Sequence, residues 1–178
     1  MTRFALVGRR RVARTRFLTV ERAYYTTPDG WVVREIVRHP GSVVVVPWDG
    51  ERVHMIRQVR VAVGRPLLEL PAGKLDVDGE TPEAAAAREC AEEIGLRPGR
   101  LTPLHTAYTS PGFTDERCMI YLAEDLAPVG SDPQGAEEAA AEHVALTLEE
   151  AAAGLADGSI TDATTLIGLY ALLRRLGR

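Results

Sequence analysis

The stretch GKLDVDGETPEAAAARECAEEIGL, residues 73–96, decides how the chain reads. It opens as a polar, glycine-bearing loop and turns helical at Thr81-Pro82, because threonine is a natural N-cap and proline suits the first helical position. Gly95 supplies a left-handed stop, so a helix is predicted over 82–94. At about 100° per residue, Ala84, Ala87, Ala91 and Ile94 share one face, with Glu89, Glu92 and Glu93 opposite. A face made of alanine lets the helix approach a sheet closely. The glutamates crowd the C-terminal end, against both their mutual repulsion and the helix macrodipole. A cation among them resolves the conflict, and hard oxygen donors select Mg²⁺, Mn²⁺ or Ca²⁺ over zinc. The plainer alternative is a solvated face paired with Arg88 or Arg97.

Outward from this stretch, the chain alternates strand and turn. The segment 14–25, "RTRFLTVERAYY", reads as strand, followed by a Pro28-Asp29-Gly30 turn and the strand "WVVREIV". The β-branched run "SVVVVPW", 42–48, is predicted to be buried on both faces. Asp49-Gly50 then turns the chain into "RVHMIRQVR", which predicts a hairpin. "LLELPAG" is a further short strand, and "RCMIYLAEDL" and "EHVALT" are two more. Two helices follow, one after Thr147 and one near Thr161 or Asp162. The segment between Gly130 and Glu142 is loop-like at its start and acidic afterwards.

With 178 residues, the chain suits one domain, or one domain with a small appendage. A net charge of −4 argues against a nucleic-acid coat. Cys90 and Cys118 make no disulfide framework, which fits a reducing, cytoplasmic setting. No apolar run approaches the roughly 20 residues of a membrane helix. Six arginines stand within the first 16 positions, and alternating side-chain character there favours a solvated strand over a transit peptide or an anionic-surface patch.

The span 73–96 resembles the Nudix box, in which a glycine, a glutamate and an Arg-Glu-aliphatic-x-Glu-Glu-x-Gly-aliphatic run recur at fixed spacing. Gly73, Glu80, Arg88, Glu89, Glu92, Glu93, Gly95 and Leu96 occupy its positions. Six residues rather than five separate Gly73 from Glu80, and Cys90 takes the aliphatic slot. The resemblance implies an α/β (α+β) Nudix fold, a mixed β-sheet sandwiched between helices, that hydrolyses a nucleoside diphosphate derivative. It implies that Glu89, Glu92, Glu93 and the Ala72 carbonyl bind Mg²⁺ or Mn²⁺, with Glu92 also a catalytic candidate. Arg88 would hold the carboxylates in position.

Outside the box, the chain resembles the ADP-ribose pyrophosphatase branch. The matching features are the N-terminal strand extension, "RQVR" (57–60), "LLELPAG" (67–73) and "SPGFTDE" (110–116). The resemblance implies hydrolysis of ADP-ribose and a homodimer, with residues 1–40 as a strand extension exchanged between subunits and 41–178 as the catalytic domain. Arg34, Glu35, Arg60 and Glu69 become substrate-contact candidates, arginines for phosphate and acids for hydroxyl or amino groups. Gly73, Pro111 and Gly112 join them, and the alternative for the charged ones is a solvent-facing strand position. Trp31 and Tyr24 read as core or dimer-packing residues, with stacking on adenine as the alternative. His39 reads as a strand-end residue. The general base is expected on the acidic loop, at Glu138, then Glu137, with Glu142 also on offer. Nucleotide sugars, dinucleotides and coenzyme A are alternative substrates, and a non-catalytic ligand-sensing module is an alternative role. Neither nucleic acid nor membrane is expected as a partner.

Overall fold

The computed structural model describes residues 4–130 and 140–178. Three strands at the N-terminus form their own antiparallel sheet: β1 (Ala5–Arg14), β2 (Thr19–Thr27) and β3 (Gly30–Arg38). The body contains β4 (Ser42–Pro47), β5 (Arg52–Arg60), β6 (Arg65–Glu69), β7 (Ala72–Lys74), helix α1 (Pro82–Ile94), β8 (Leu96–Tyr108), β9 (Arg117–Pro128), β10 (Glu142–Thr147), α2 (Leu148–Asp157) and α3 (Ala163–Arg175). These strands form a sheet of order β10-β5-β6 and a mixed sheet of order β7-β4-β9-β8.

The β4–β9 pair is parallel, with Ser42 opposite Cys118 and Val46 opposite Leu122. Successive side chains on a strand point to opposite faces, so this pair feeds two cores. Val43, Val45, Tyr121 and Ala123 pack with Ala85, Ala86, Cys90 and Ile94 of α1. Val44, Val46, Ile120 and Leu122 pack with Leu169 and Leu172 of α3. That is the expected mixed sheet between helices. Each fully buried Val, Leu or Ile side chain contributes roughly 1.5–3 kcal/mol. The α3 contact is close because Gly168 lacks a Cβ; one added there would stand 2.5 Å from Leu70 and 3.0 Å from Val46.

Four expectations change. The continuous strand over 14–25 is broken at residues 15–18, where a turn closed by Thr15 N–H on the Leu18 carbonyl (2.8 Å) joins β1 to β2. Asp49 does turn the chain, accepting the N–H groups of Glu51 and Arg52, but β4 and β5 then enter different sheets, joined across the turn by the bridge Trp48–Val53 and the Asp49 N–H on the Arg52 carbonyl at 3.2 Å. The strand β8 was not expected, since Pro98 and Pro103 interrupt it. It lies at the edge of its sheet, where proline's missing N–H is tolerated, and its register shifts after Pro103. On α1 the buried positions are Ala85, Ala86, Glu89, Cys90 and Ile94, while Ala84 is exposed. The helix is rotated from the expected setting, and Glu89 goes inward.

Candidate active site

Helix α1 is built as its end residues dictate. The Thr81 hydroxyl accepts the Ala84 N–H, and Gly95 sits at φ 68°, its N–H on the Ala91 carbonyl. This fixed frame presents Arg88 and the glutamates to the loop before it. The Arg88 guanidinium serves three carboxylates at once. Its Nε and Nη2 hold both oxygens of Glu80 at 2.9 Å, and its Nη1 reaches Glu89 at 2.8 Å and Glu92 at 2.9 Å. The seven-residue interval from Glu80 to Arg88 therefore spans one fork-on-fork ion pair. The Arg88 hydrogen bonds hold the Glu80 carboxyl below the usual glutamate value, and the same partners raise Arg88 above the ordinary arginine range.

The third wall is β7. The Ala72 N–H donates to Glu93 Oε2 at 2.9 Å, which places the Ala72 peptide beside that carboxylate. Glu89 is only 7% exposed, and a Cβ on Gly73 would overlap its carboxyl group. Only glycine at 73 leaves this space to the glutamate. Among the described residues, no three His, Cys, Asp or Glu side chains form a closed metal cage. The donor set nevertheless fits a hard divalent cation, because such ions take one or two carboxylates and leave positions for water and phosphate oxygens.

The substrate-contact candidates fall into separate places. Arg34, Pro111 and Gly112 line one cavity of about 450 Å³ with Tyr25, Arg38 and Phe113. Arg60 and Glu69 pair on β5 and β6, with Arg60 Nε and Nη2 on Glu69 at 2.6–3.0 Å. Glu69 is 3% exposed and also accepts Gln58 Nε2 at 3.1 Å, so it is committed to protein partners. Glu35 is exposed and bonded to Arg22 at 2.6 Å. Trp31 is 69% exposed on β3, outside any core, and Tyr24 is half-buried on β2. His39 follows β3 directly; its N–H donates to Asp115, and its Nδ1 accepts the Gly41 N–H. Glu137 and Glu138 lie outside the described residues. Glu142 opens β10 and faces Arg57 at 3.6 Å.

Sequence reasoning did not single out Arg38, Phe113 or Asp115. Arg38 bridges Glu21 and Asp115, each at 2.9 Å, and the Val37 N–H donates to the Phe113 carbonyl at 2.8 Å. These contacts tie the N-terminal sheet to the "SPGFTDE" loop. The pairings span about 76 positions, so nothing local in sequence signals them.

A family model for the NUDIX domain matches residues 37–165. The chain is 40% identical over 144 residues to an ADP-ribose pyrophosphatase of Mycobacterium tuberculosis, covering 80% of this chain and 70% of that protein. It is 34% identical over 162 residues to a GDP-mannose pyrophosphatase of Cronobacter sakazakii, covering 84% of each. A crystal structure of an ADP compounds hydrolase superposes with a TM-score of 0.83 at 26% identity, over 99% of this chain and 97% of that one.

Proposed function

The chain belongs to the NUDIX family, and on that premise we propose that it hydrolyses the diphosphate bond of ADP-ribose to AMP and ribose 5-phosphate. The observation that carries the reading is the set Glu89, Glu92 and Glu93, braced by Arg88 and seated against Ala72–Gly73. In this reading, those three glutamates and the Ala72 carbonyl would hold Mg²⁺ or Mn²⁺. When bound, the cation supplies charge neutralisation, Lewis acidity and a lowered pKa for water.

The protein's own part is positioning and proton transfer. Arg88 holds Glu89 and Glu92 in position through its Nη1, and the Ala72 N–H fixes the angle of Glu93. Water oxygen bonds to phosphorus, and the bond from that phosphorus to the bridging oxygen breaks. The water's proton passes to a carboxylate, which we assign to Glu138, with Glu137 as its neighbour. Arg34, with Pro111 and Gly112 around it, and Arg60 supply positive charge to the substrate's phosphates.

Residues 1–40 act as an extension to the catalytic domain 41–178 and join two copies into a homodimer. Phe4, Leu6, Val7, Trp31 and Val33 are all at least 45% exposed, and Ala23 is the only fully buried residue of the three strands. A sheet this open is short of a covering layer. Two buried free thiols suit a cytoplasmic setting. Among the described residues, no helix is long and apolar enough to cross a membrane.

Another nucleotide sugar is the second reading, supported by the likeness to a GDP-mannose pyrophosphatase. Released nucleoside monophosphate, measured across ADP-ribose, GDP-mannose, dinucleotides and coenzyme A with Mg²⁺ or Mn²⁺, separates the two. Failure to turn over ADP-ribose removes the first reading, and failure on every diphosphate points to a ligand-sensing module.

A further inference from the structure

Strand β10 lies at the edge of its sheet, with β5 as its neighbour. His54 on β5 stands opposite Ala145, and His143 on β10 stands opposite Ile56, so the two imidazoles are diagonal neighbours on one face. His54 Nδ1 and His143 Nε2 are 3.0 Å apart, with ring centroids at 5.1 Å. On its other side, His54 Nε2 meets Asp49 Oδ2 at 2.9 Å. The His54 side chain is only 14% exposed. Asp49, His54 and His143 thus form a chain of hydrogen bonds from the turn before β5 to the start of β10.

The chemistry of the donors places the protons. Burial pushes the Asp49 carboxyl up, but the Arg52 and Glu51 N–H groups and His54 outweigh it and hold it below the ordinary 3.8, so it only accepts. His54 therefore donates from Nε2 and turns its Nδ1 lone pair to His143, whose Nε2–H completes the chain. A first proton on the pair keeps this bond, because one ring still offers a lone pair. A second proton leaves two N–H groups face to face and sets two cations side by side. Partial burial and the His54 ring accordingly hold His143 below the ordinary 6.5. The other charges nearby are engaged elsewhere. Arg52, on the same face of β5, reaches the Ala145 carbonyl at 3.4 Å and adds positive charge. Glu51 stands 3.8 Å from Arg52, and Glu150 of α2 accepts the Thr147 N–H. Arg57 and Glu142 pair with each other at 3.6 Å on the opposite face.

We propose that Asp49, His54 and His143 form a pH-sensitive latch, which holds β10 on its sheet at neutral pH and releases the start of the strand once both rings are protonated. A base whose pKa is lowered by folding stabilises the fold fully above its unfolded value and loses that contribution as pH falls below it. For histidine the unfolded value is about 6.5, so release begins below about pH 6.5. In sequence, β10 follows closely on Glu137 and Glu138, so the latch sets where the chain rejoins the sheet after them. The latch stands apart from the hydrolase reading, since it needs no substrate.

Two measurements on the full chain test it. Hydrogen–deuterium exchange is read on the peptide covering residues 142–147, corrected for the intrinsic exchange rate. Its protection is expected to fall about tenfold between about pH 7.5 and about pH 5. His143→Gln puts an amide donor near the place of Nε2 but takes up no proton, and is expected to keep its protection across that range. The second measurement needs no variant. Nitrogen NMR of the rings follows the titration of the parent, and His143 is expected to take its proton at lower pH when folded than in urea. Equal protection at both pH values, or an equal fall in His143→Gln, overturns the proposal. So does a His143 midpoint that is the same folded and unfolded. A fall shared equally by all strands also overturns it, because it would report acid unfolding of the whole chain.

Discussion

One arginine holding three carboxylates sets the terms at the scale of single residues. Arg88 neutralises part of the charge that Glu80, Glu89 and Glu92 bring together, and so lets an acidic site fold. Glu93 is held instead by a backbone N–H. Replacing Glu93 by Gln keeps a side chain of the same shape and removes the charge. Turnover is expected to fall by about a hundredfold or more, with the thermal midpoint within a few degrees of the parent. Near-normal kcat in that variant would exclude Glu93 as a metal ligand. Gly73→Ala is a subtler probe, because the added methyl group must push the Glu89 carboxyl aside. A displacement of that kind near a reacting centre costs up to about a hundredfold in rate. We expect kcat to fall by about ten- to a hundredfold in Gly73→Ala, and an unchanged rate would show that Glu89 has room to move. The acidic cluster was legible in the sequence because its like charges conflict within one helix. The Gly73–Glu89 fit was not, since it depends on how closely β7 and α1 approach.

At the scale of elements, local signals were read well wherever the chain end or cap decides. Thr81, Pro82 and Gly95 bound α1, and Thr147 and Asp162 cap α2 and α3 through side-chain oxygens accepting backbone N–H groups. Reading failed where the partner decides. β8 hid behind Pro98 and Pro103 because edge position, not composition, makes those prolines harmless. The rotation of α1 was missed because alanines on several faces leave no single apolar stripe; the sheet chooses Ala85 and Ala86. Gly168 on α3 offers a test of such packing. Alanine there gains about 1 kcal/mol in helix propensity, yet its methyl group meets Leu70 at 2.5 Å and Val46 at 3.0 Å. Overpacking of this kind costs about 1–3 kcal/mol. The net expectation for Gly168→Ala is a loss of up to about 2 kcal/mol, read as a lower urea midpoint with an unchanged slope. A rise in the midpoint would mean that Leu70 swings clear.

On the scale of the whole molecule, the N-terminal sheet faces two demands: cover for its apolar side chains, and attachment to the body. If a second copy provides the cover, Val33→Asp moves the particle to monomer mass in light scattering after size exclusion, and a parent that is itself monomeric defeats the dimer. Attachment rests on Asp115, which accepts Arg38 Nη1 at 2.9 Å and the His39 N–H at 3.0 Å. Burial pushes the Asp115 carboxyl up, but the Arg38 guanidinium and the His39 N–H outweigh it and leave it below the ordinary value of 3.8. A carboxyl depressed by folding stabilises the fold fully above its unfolded pKa and loses that contribution as pH falls through the lower folded value. The tie therefore holds at neutral pH and weakens below about pH 4. Trp31 lies on the sheet, so with Trp48→Phe as background its fluorescence reports on that region alone. We expect an acid transition in this signal below about pH 4, and its loss or upward shift in Asp115→Asn, where the Arg38 ion pair is absent at every pH. An identical acid midpoint in both proteins would place the attachment elsewhere, in the Val37–Phe113 backbone bond and the packing around it.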